Sequence, residues 1–216
     1  MPDHFHDRRE AGRRLAELLG TLHLAAPVVL ALPRGGVPVA FEIARALAAP
    51  LDLLLVRKIG APANEEFGIG AVVDGTPPIA VLDDELVRLV GASPAYVEAQ
   101  TRRQVAEMAR RRTAYLAGRS PVPLEGRTAI VVDDGIATGG TARAALRGLA
   151  ERRPARRVLA VPVAPPDTVA ALQREGHEVV CLLTPEPFGS VGEYYDNFGQ
   201  TDDAEVTALL EESRRG

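Results

Sequence analysis

Two adjacent acids, Asp133 and Asp134, follow the apolar run 128–132 and open a turn of small residues that reaches Thr141. Carboxylates accept hydrogen bonds from neighbouring hydroxyls. A turn of small residues bares its N–H groups to an anion, at the positive end of the helix that follows. Strand, acids, small turn and helix in that order suit a sugar phosphate. Ala137, Thr138, Gly139, Gly140 and Thr141 supply the amides and two hydroxyls, and three of them are small enough to let a phosphate close on the backbone. The bland alternative is a capped turn without ligand. It accounts for an isolated Asp-Asp-Gly, but not for the whole string. A second turn, Leu32-Pro33-Arg34-Gly35-Gly36, has a guanidinium able to fork onto phosphate oxygens. A third candidate is Arg57-Lys58, after the apolar run 51–56. The chain has 24 Arg, and Lys58 is its one lysine. A compact, mobile ammonium is not interchangeable with a guanidinium.

These turns need elements to hold them. Residues 7–19 carry Ala11, Leu15, Leu18 and Leu19 on one helical face. Runs 27–32 and 51–56 read as short buried strands with a helix over 37–47 between them. A loop or small hairpin follows over 60–74, then a third apolar segment over 78–82. Helices are expected over 83–90 and 94–116, the second opened by Ser93 as cap and Pro94 in the first turn. After Gly126 come a strand to Val132, a helix 139–152, a strand 158–163, a helix 166–174, a strand 178–183 and a last helix 202–214. Strand–helix alternation with continuous apolar strands predicts an α/β fold, a mostly parallel twisted sheet flanked by helices. In such a sheet ligands bind beyond the carboxyl ends of the strands. All three candidate turns fall there.

The segment 128–141 resembles the signature for 5-phosphoribosyl-1-diphosphate (PRPP) in type I phosphoribosyltransferases. Leu32 to Gly36 resembles their diphosphate loop, in the Arg-Gly-Gly form of xanthine-guanine enzymes. Arg57-Lys58 resembles their strand-end pair before a mobile loop. The resemblance covers about 27–183. It implies one domain over 1–216, with an inserted helical segment at 83–117 and a small hood with a helix at 185–214. The activity implied is Mg2+-dependent transfer of the phosphoribosyl group from PRPP to a nucleobase or related nitrogen acceptor, with release of diphosphate. On this likeness Asp133 and Asp134 hold ribose hydroxyls, and residues 137–141 hold the 5-phosphate. Arg34, Gly35, Gly36, Arg57 and Lys58 hold diphosphate. Asp133, Asp134, Lys58 and Arg34 form the catalytic set. Mg2+ would be held by substrate and water with no direct protein ligand. A cis or strained non-proline peptide is expected beside Arg34, and a homodimer is implied. Ala137 stands where 6-oxopurine enzymes carry an acid, which speaks against a hypoxanthine- or guanine-type reaction, and Gly135 is smaller than the apolar residue usual at its place. Two other readings use the same site: a PRPP-binding regulator without turnover, and a phosphoribosyl hydrolase.

The acceptor would lie under the hood. Segment 185–200 carries Phe188, Tyr194, Tyr195 and Phe198, four of the nine aromatics. Flat rings suit stacking on a base, with Phe188, Tyr194 and Tyr195 the acceptor candidates, or they pack the hood itself. Glu193 and Asp196 are polar candidates for a base edge.

Composition removes other chemistries. A net charge of −4 advertises no surface for nucleic acid. Cys181, the only cysteine, lies in an apolar run; it excludes an intramolecular disulfide and fits a reducing cytoplasm. The first 24 residues carry acids and no long apolar core, so no signal peptide is expected. No apolar run reaches the ~18 residues of a membrane span. Walker, dinucleotide and nucleophile-elbow motifs are missing, and the four histidines do not read as a zinc site. Arg102, Arg103, Arg110, Arg111 and Arg112 on 94–116 alternate with Glu98 and Glu107, as on a solvated or subunit-facing helix.

Overall fold

Five apolar runs pair side by side as a parallel sheet in the computed structural model, which describes residues 4–75, 77–117 and 119–215. The elements in chain order are α1 (Arg8–Gly20), β1 (Val28–Ala31), α2 (Gly36–Ala46), β2 (Leu51–Leu53), β3 (Val56–Ala61), β4 (Asn64–Val73), β5 (Ile79–Leu82) and α3 (Asp84–Leu89). Then follow α4 (Pro94–Leu116), β6 (Thr128–Val132), α5 (Gly140–Leu149), β7 (Arg156–Val163), α6 (Pro166–Arg174), β8 (Glu178–Leu183) and α7 (Asp203–Glu212). The parallel sheet runs β2-β1-β6-β7-β8. One face buries Leu15, Leu19, Phe41 and Ile43 of α1 and α2, with Leu209 of α7. The other buries Ala145, Leu146 and Leu149 of α5, with Leu172 of α6. The central strands, covered on both faces, are the most apolar, and β1 and β6 are buried at every position.

Register decides where the site can form. Ala31 pairs with Val132, and Val132 with Ala160, so β1 and β6 end level. Leu32 N donates to Val132 O at 2.8 Å. The turn after β1 is thereby laid against the turn after β6.

The run 51–56, expected as one strand, is divided between two sheets. Only Leu51–Leu53 joins the parallel sheet, and Leu54 N makes the last bond to Ala31 O at 2.9 Å. The chain then turns, and Val56 opens an antiparallel sheet, β3-β4-β5. Leu54 and Leu55 are buried in the joint, so the apolar run continues across it and hydropathy carries no mark of the break. The segment 60–74 is the hairpin, not a loop.

The small sheet is fixed at its base. Helix α5 lies on β4 so closely that a Cβ at Gly148 would stand 2.7 Å from Val73 Cβ. Gly148→Ala is therefore expected to destabilise the protein by about 1–3 kcal/mol through overpacking. Urea unfolding reads this out, and unchanged stability would show that the contact is not close-packed. On the other side Arg112 of α4 pairs with Asp74 and lies 3.5 Å from Asp52, whose Oδ2 accepts from Val122 N at 2.9 Å. Burial pushes the Asp74 carboxyl up even against the neighbouring Arg112 charge. The outer face of α4 carries the Arg102–Glu98 and Arg110–Glu107 pairs, while Met108, Tyr115 and Leu116 are buried. Burial also pushes the Cys181 thiol up to about 12, leaving a core residue rather than a nucleophile. No helix among the described residues is long and apolar enough to cross a membrane.

Candidate active site

Asp133 and Asp134 leave the carboxyl end of β6 beside the turn that opens α2. A Cβ at Gly36 would stand 2.6 Å from Val132 O, and one at Gly35 2.1 Å from Asp134 Oδ2. Only glycines allow the two turns to lie this close. The Pro33–Arg34 peptide between β1 and these glycines is cis, the position expected. Asp133 is half-buried, and its Oδ1 accepts from Asp134 N at 2.9 Å. Burial, and then the charge of Asp134, hold its carboxyl well above the usual range. Asp134 is not free. Its Oδ2 accepts from Arg8 Nε at 2.8 Å, and its carbonyl accepts from Tyr195 Oη at 2.5 Å.

At the other end of the same turn the amides open outward. Gly139 takes the left-handed conformation (φ 72°) as N-cap of α5, with no side chain capping the helix. Ala137, Thr138, Gly140 and Thr141 are exposed, and the turn is anchored from behind by Thr168 Oγ1 donating to Ala137 O at 2.6 Å. Here a cavity of about 440 Å3 lies between α5 and the antiparallel sheet. Thr138, Gly140 and Thr141 line it, as do Lys58, Gly68 and Gly70 of the hairpin and Arg143 and Arg147 of α5. Lys58 Nζ donates to Glu66 O at 2.8 Å and to Glu66 Oε2 at 3.0 Å, an exposed pairing that a phosphate can displace.

The lone lysine and the amides thus meet in one cavity, and the acids meet the Gly35–Gly36 turn beside it. The two guanidiniums do not join them. Arg34 Nη1 lies 3.5 Å from Asp203 Oδ1 of α7, which also accepts from Tyr115 Oη at 2.7 Å. Tyr115, and then Arg34, hold the Asp203 carboxyl below the usual range. Arg57 precedes Lys58 in β3 and so points to the opposite face. Its Nε donates to Gln104 Oε1 at 3.1 Å, and it lines a groove of about 400 Å3 with Arg103 and Arg110 of α4.

Segment 185–200 lies against the start of α1, and none of its residues lines the larger cavity. Phe188 stacks on Tyr194 with centroids 5.5 Å apart. Tyr195 is buried against Phe5. These rings pack on one another, the alternative open in the sequence, and the three-stranded sheet is what borders the cavity.

Sequence reasoning missed Arg8, Asp203, Arg143 and Arg147. For the last two a signal existed: they lie one turn apart on the helix that follows the phosphate-type turn. For Arg8 there was none, since its partner lies 126 residues away.

A profile of the phosphoribosyl transferase domain matches residues 3–195. The crystal structure of TT1426 from Thermus thermophilus shares 46% identity and a TM-score of 0.86, over 97% of this chain and 98% of that one. A Mycobacterium tuberculosis H37Rv protein named "Putative phosphoribosyl transferase Rv0571c" is 48% identical over 211 residues, 98% of this chain and 47% of the relative. The chain therefore spans about half the length of the curated relatives it matches. A Neisseria gonorrhoeae hypothetical protein solved with bound ppGpp shares the fold at 17% identity and a TM-score of 0.53, over 96% of this chain and 93% of that one. With two phosphate-type turns laid edge to edge at the carboxyl end of a parallel sheet, and a profile match across nine-tenths of its length, the chain belongs to the phosphoribosyl transferase domain family.

Proposed function

We propose that this chain transfers the 5-phosphoribosyl group of PRPP, taken up as its Mg2+ complex, to a nitrogen acceptor. One observation carries the reading: the uncapped amides of α5 and the only lysine share a cavity, while two acids stand at the other end of the same turn. Residues 137–141 take the 5-phosphate and Asp133 accepts from the ribose hydroxyls. The Gly35 and Gly36 amides and Lys58 take the diphosphate. Arg34 joins them on release from Asp203.

The acceptor nitrogen supplies its electron pair to C1 as the bond from C1 to the diphosphate oxygen breaks. Diphosphate leaves with that pair, and the acceptor's proton passes to solvent. Positive charge develops at C1, so the protein's task is to fix the sugar and steady the leaving anion rather than to supply a nucleophile. Mg2+ bound to the diphosphate lowers the charge it must carry away.

Diphosphate release, measured with and without a panel of nucleobases, tests the reading. Release that requires a base supports transfer. Base-free release points to a hydrolase, and calorimetric PRPP binding without release to a regulator. Lys58→Ala is expected to lower kcat/KM for PRPP about tenfold, the loss of one charge-assisted contact. Lys58→Arg recovers little of it, because a broad planar guanidinium does not replace a compact, mobile ammonium. Wild-type kinetics in Lys58→Arg would mean that the lysine is there by chance.

A further inference from the structure

The two acids are adjacent in sequence and unlike in surroundings. Asp134 is held at its Oδ2 and at its carbonyl. Arg8 Nε donates to its Oδ2 with both side chains sheltered, 11% and 15% exposed, so this is not a solvent-screened surface pair. The guanidinium is itself fixed from behind: Nη1 donates to Gly199 O at 2.6 Å, and the group lies over the Phe198 ring, 3.9 Å from its centroid. Phe198 stacks on Tyr195, centroids 5.0 Å apart, and Tyr195 closes the circle through its bond to Asp134 O. Gly35 blocks the remaining side of the carboxylate. Asp7, the N-cap of α1, accepts from Glu10 N at 2.8 Å and so fixes the turn that aims Arg8. Asp133 has none of this. Its Oδ1 meets one backbone amide, and among the described residues no side chain donates to its carboxylate.

We propose that Arg8 is a positioning residue of the PRPP site: it locks the Asp134 carboxylate against Gly35 and so leaves Asp133 as the acid that meets the ribose. The proposal rests on the phosphoribosyl reading for its ligand, and on geometry alone for the division of labour. Two neighbouring carboxylates repel, and a guanidinium bound to one of them lets the pair coexist in a half-buried turn. The charged and titratable groups around the pair are Arg8 and Asp7 from the start of α1 and Tyr195 from segment 185–200. Arg34, on the turn before α2, is engaged by Asp203.

The test compares Arg8→Ala, Arg8→Lys, Asp134→Asn and the double variant Arg8→Ala/Asp134→Asn. In ligand-free protein, the 13C carboxyl titration of Asp133 is expected to move up in Arg8→Ala, because a neighbouring cation is lost. Millimolar guanidinium should move it back. With Mg2+ and PRPP, calorimetry is expected to show an affinity about tenfold weaker in Arg8→Ala, restored by guanidinium. The double variant should bind no more weakly than the weaker single variant. Arg8→Lys keeps a charge but loses the fork to Asp134 and Gly199, and is expected to bind PRPP several-fold more weakly than wild type. An Asp133 titration unmoved in folded Arg8→Ala overturns the proposal. So do additive losses in the double variant, which would mean that Arg8 acts on the ligand directly. Wild-type affinity in Arg8→Lys also overturns it, and that variant decides the matter if Arg8→Ala does not fold. Absence of PRPP binding by the wild-type protein would remove the phosphoribosyl reading instead, and the ligand-free titration would still decide the role of Arg8.

Discussion

Replacing Asp133 and Asp134 together with Asn is expected to weaken PRPP binding about a hundredfold, on the reading that these acids form the ribose side of the site. Asn is isosteric, so β6 and the turn after it remain in place. What changes is charge. A hydroxyl bound to a carboxylate is held about twice as strongly as one bound to a neutral acceptor, and each such bond is worth about 1.5–3 kcal/mol. At Asp133 the contact to ribose is lost directly. At Asp134 the new amide leaves the Arg8 guanidinium sheltered without its anion, and the turn loses its lock. Two losses of about 1.4 kcal/mol each give the factor of a hundred. Calorimetry with Mg2+ and PRPP measures it, with circular dichroism to verify folding. Unchanged affinity would take the ribose contact away from both acids.

Gly36→Ala is expected to cost as much in binding and to be felt in stability as well. The added methyl would sit 2.6 Å from Val132 O and 3.0 Å from Asp133 Cα. These are backbone atoms in a paired strand end, and no rotamer change moves them aside. Either the turn before α2 lifts away or β6 gives up its last bond to Leu32. Overpacking of this kind costs about 1–3 kcal/mol. The displaced acid then costs about a hundredfold in the ligand complex, the effect of a misplacement near 1 Å. Thermal unfolding and calorimetry on one sample separate the two losses. Gly20→Ala is the control, since a Cβ there meets nothing within 4 Å. Wild-type affinity in Gly36→Ala would show that the two turns need not touch for PRPP to bind.

Much of this arrangement is legible in the amino-acid sequence. Helices α4 and α6 and strand β8 begin and end where capping, proline placement and apolar runs put them, because those signals are local. The phosphate-type turns were legible for the same reason: strand, acids, small residues and helix are consecutive. What the chain did not disclose is non-local. An apolar run that crosses from one sheet into another reads as one strand, which hid the break after Leu53. With β3 not recognised as the edge of an antiparallel sheet, Arg57 and Lys58 read as a pair, although adjacent strand residues point to opposite faces. Arg34 was assigned by type, but its partner Asp203 lies on the last helix. Arg8 carries no periodicity or spacing that reports an acid on β6.

The way the hairpin is mounted limits how it can travel. Its shaft is wedged between two helices: Val73 is seated on Gly148 of α5, and Asp74, just beyond β4, is tied to Arg112 of α4. Past Ile59 the ladder slips register at Gly60 and Ala61, and residues 62–67, with the Phe67 ring, stand in solvent. The bulge is thus a fulcrum with a short arm beyond it. Tyr96 Oη donates to Gly60 O at 3.0 Å and Arg103 lies 3.4 Å from Glu65, so what holds the arm beyond the bulge is polar and partly exposed, unlike the packed shaft below it.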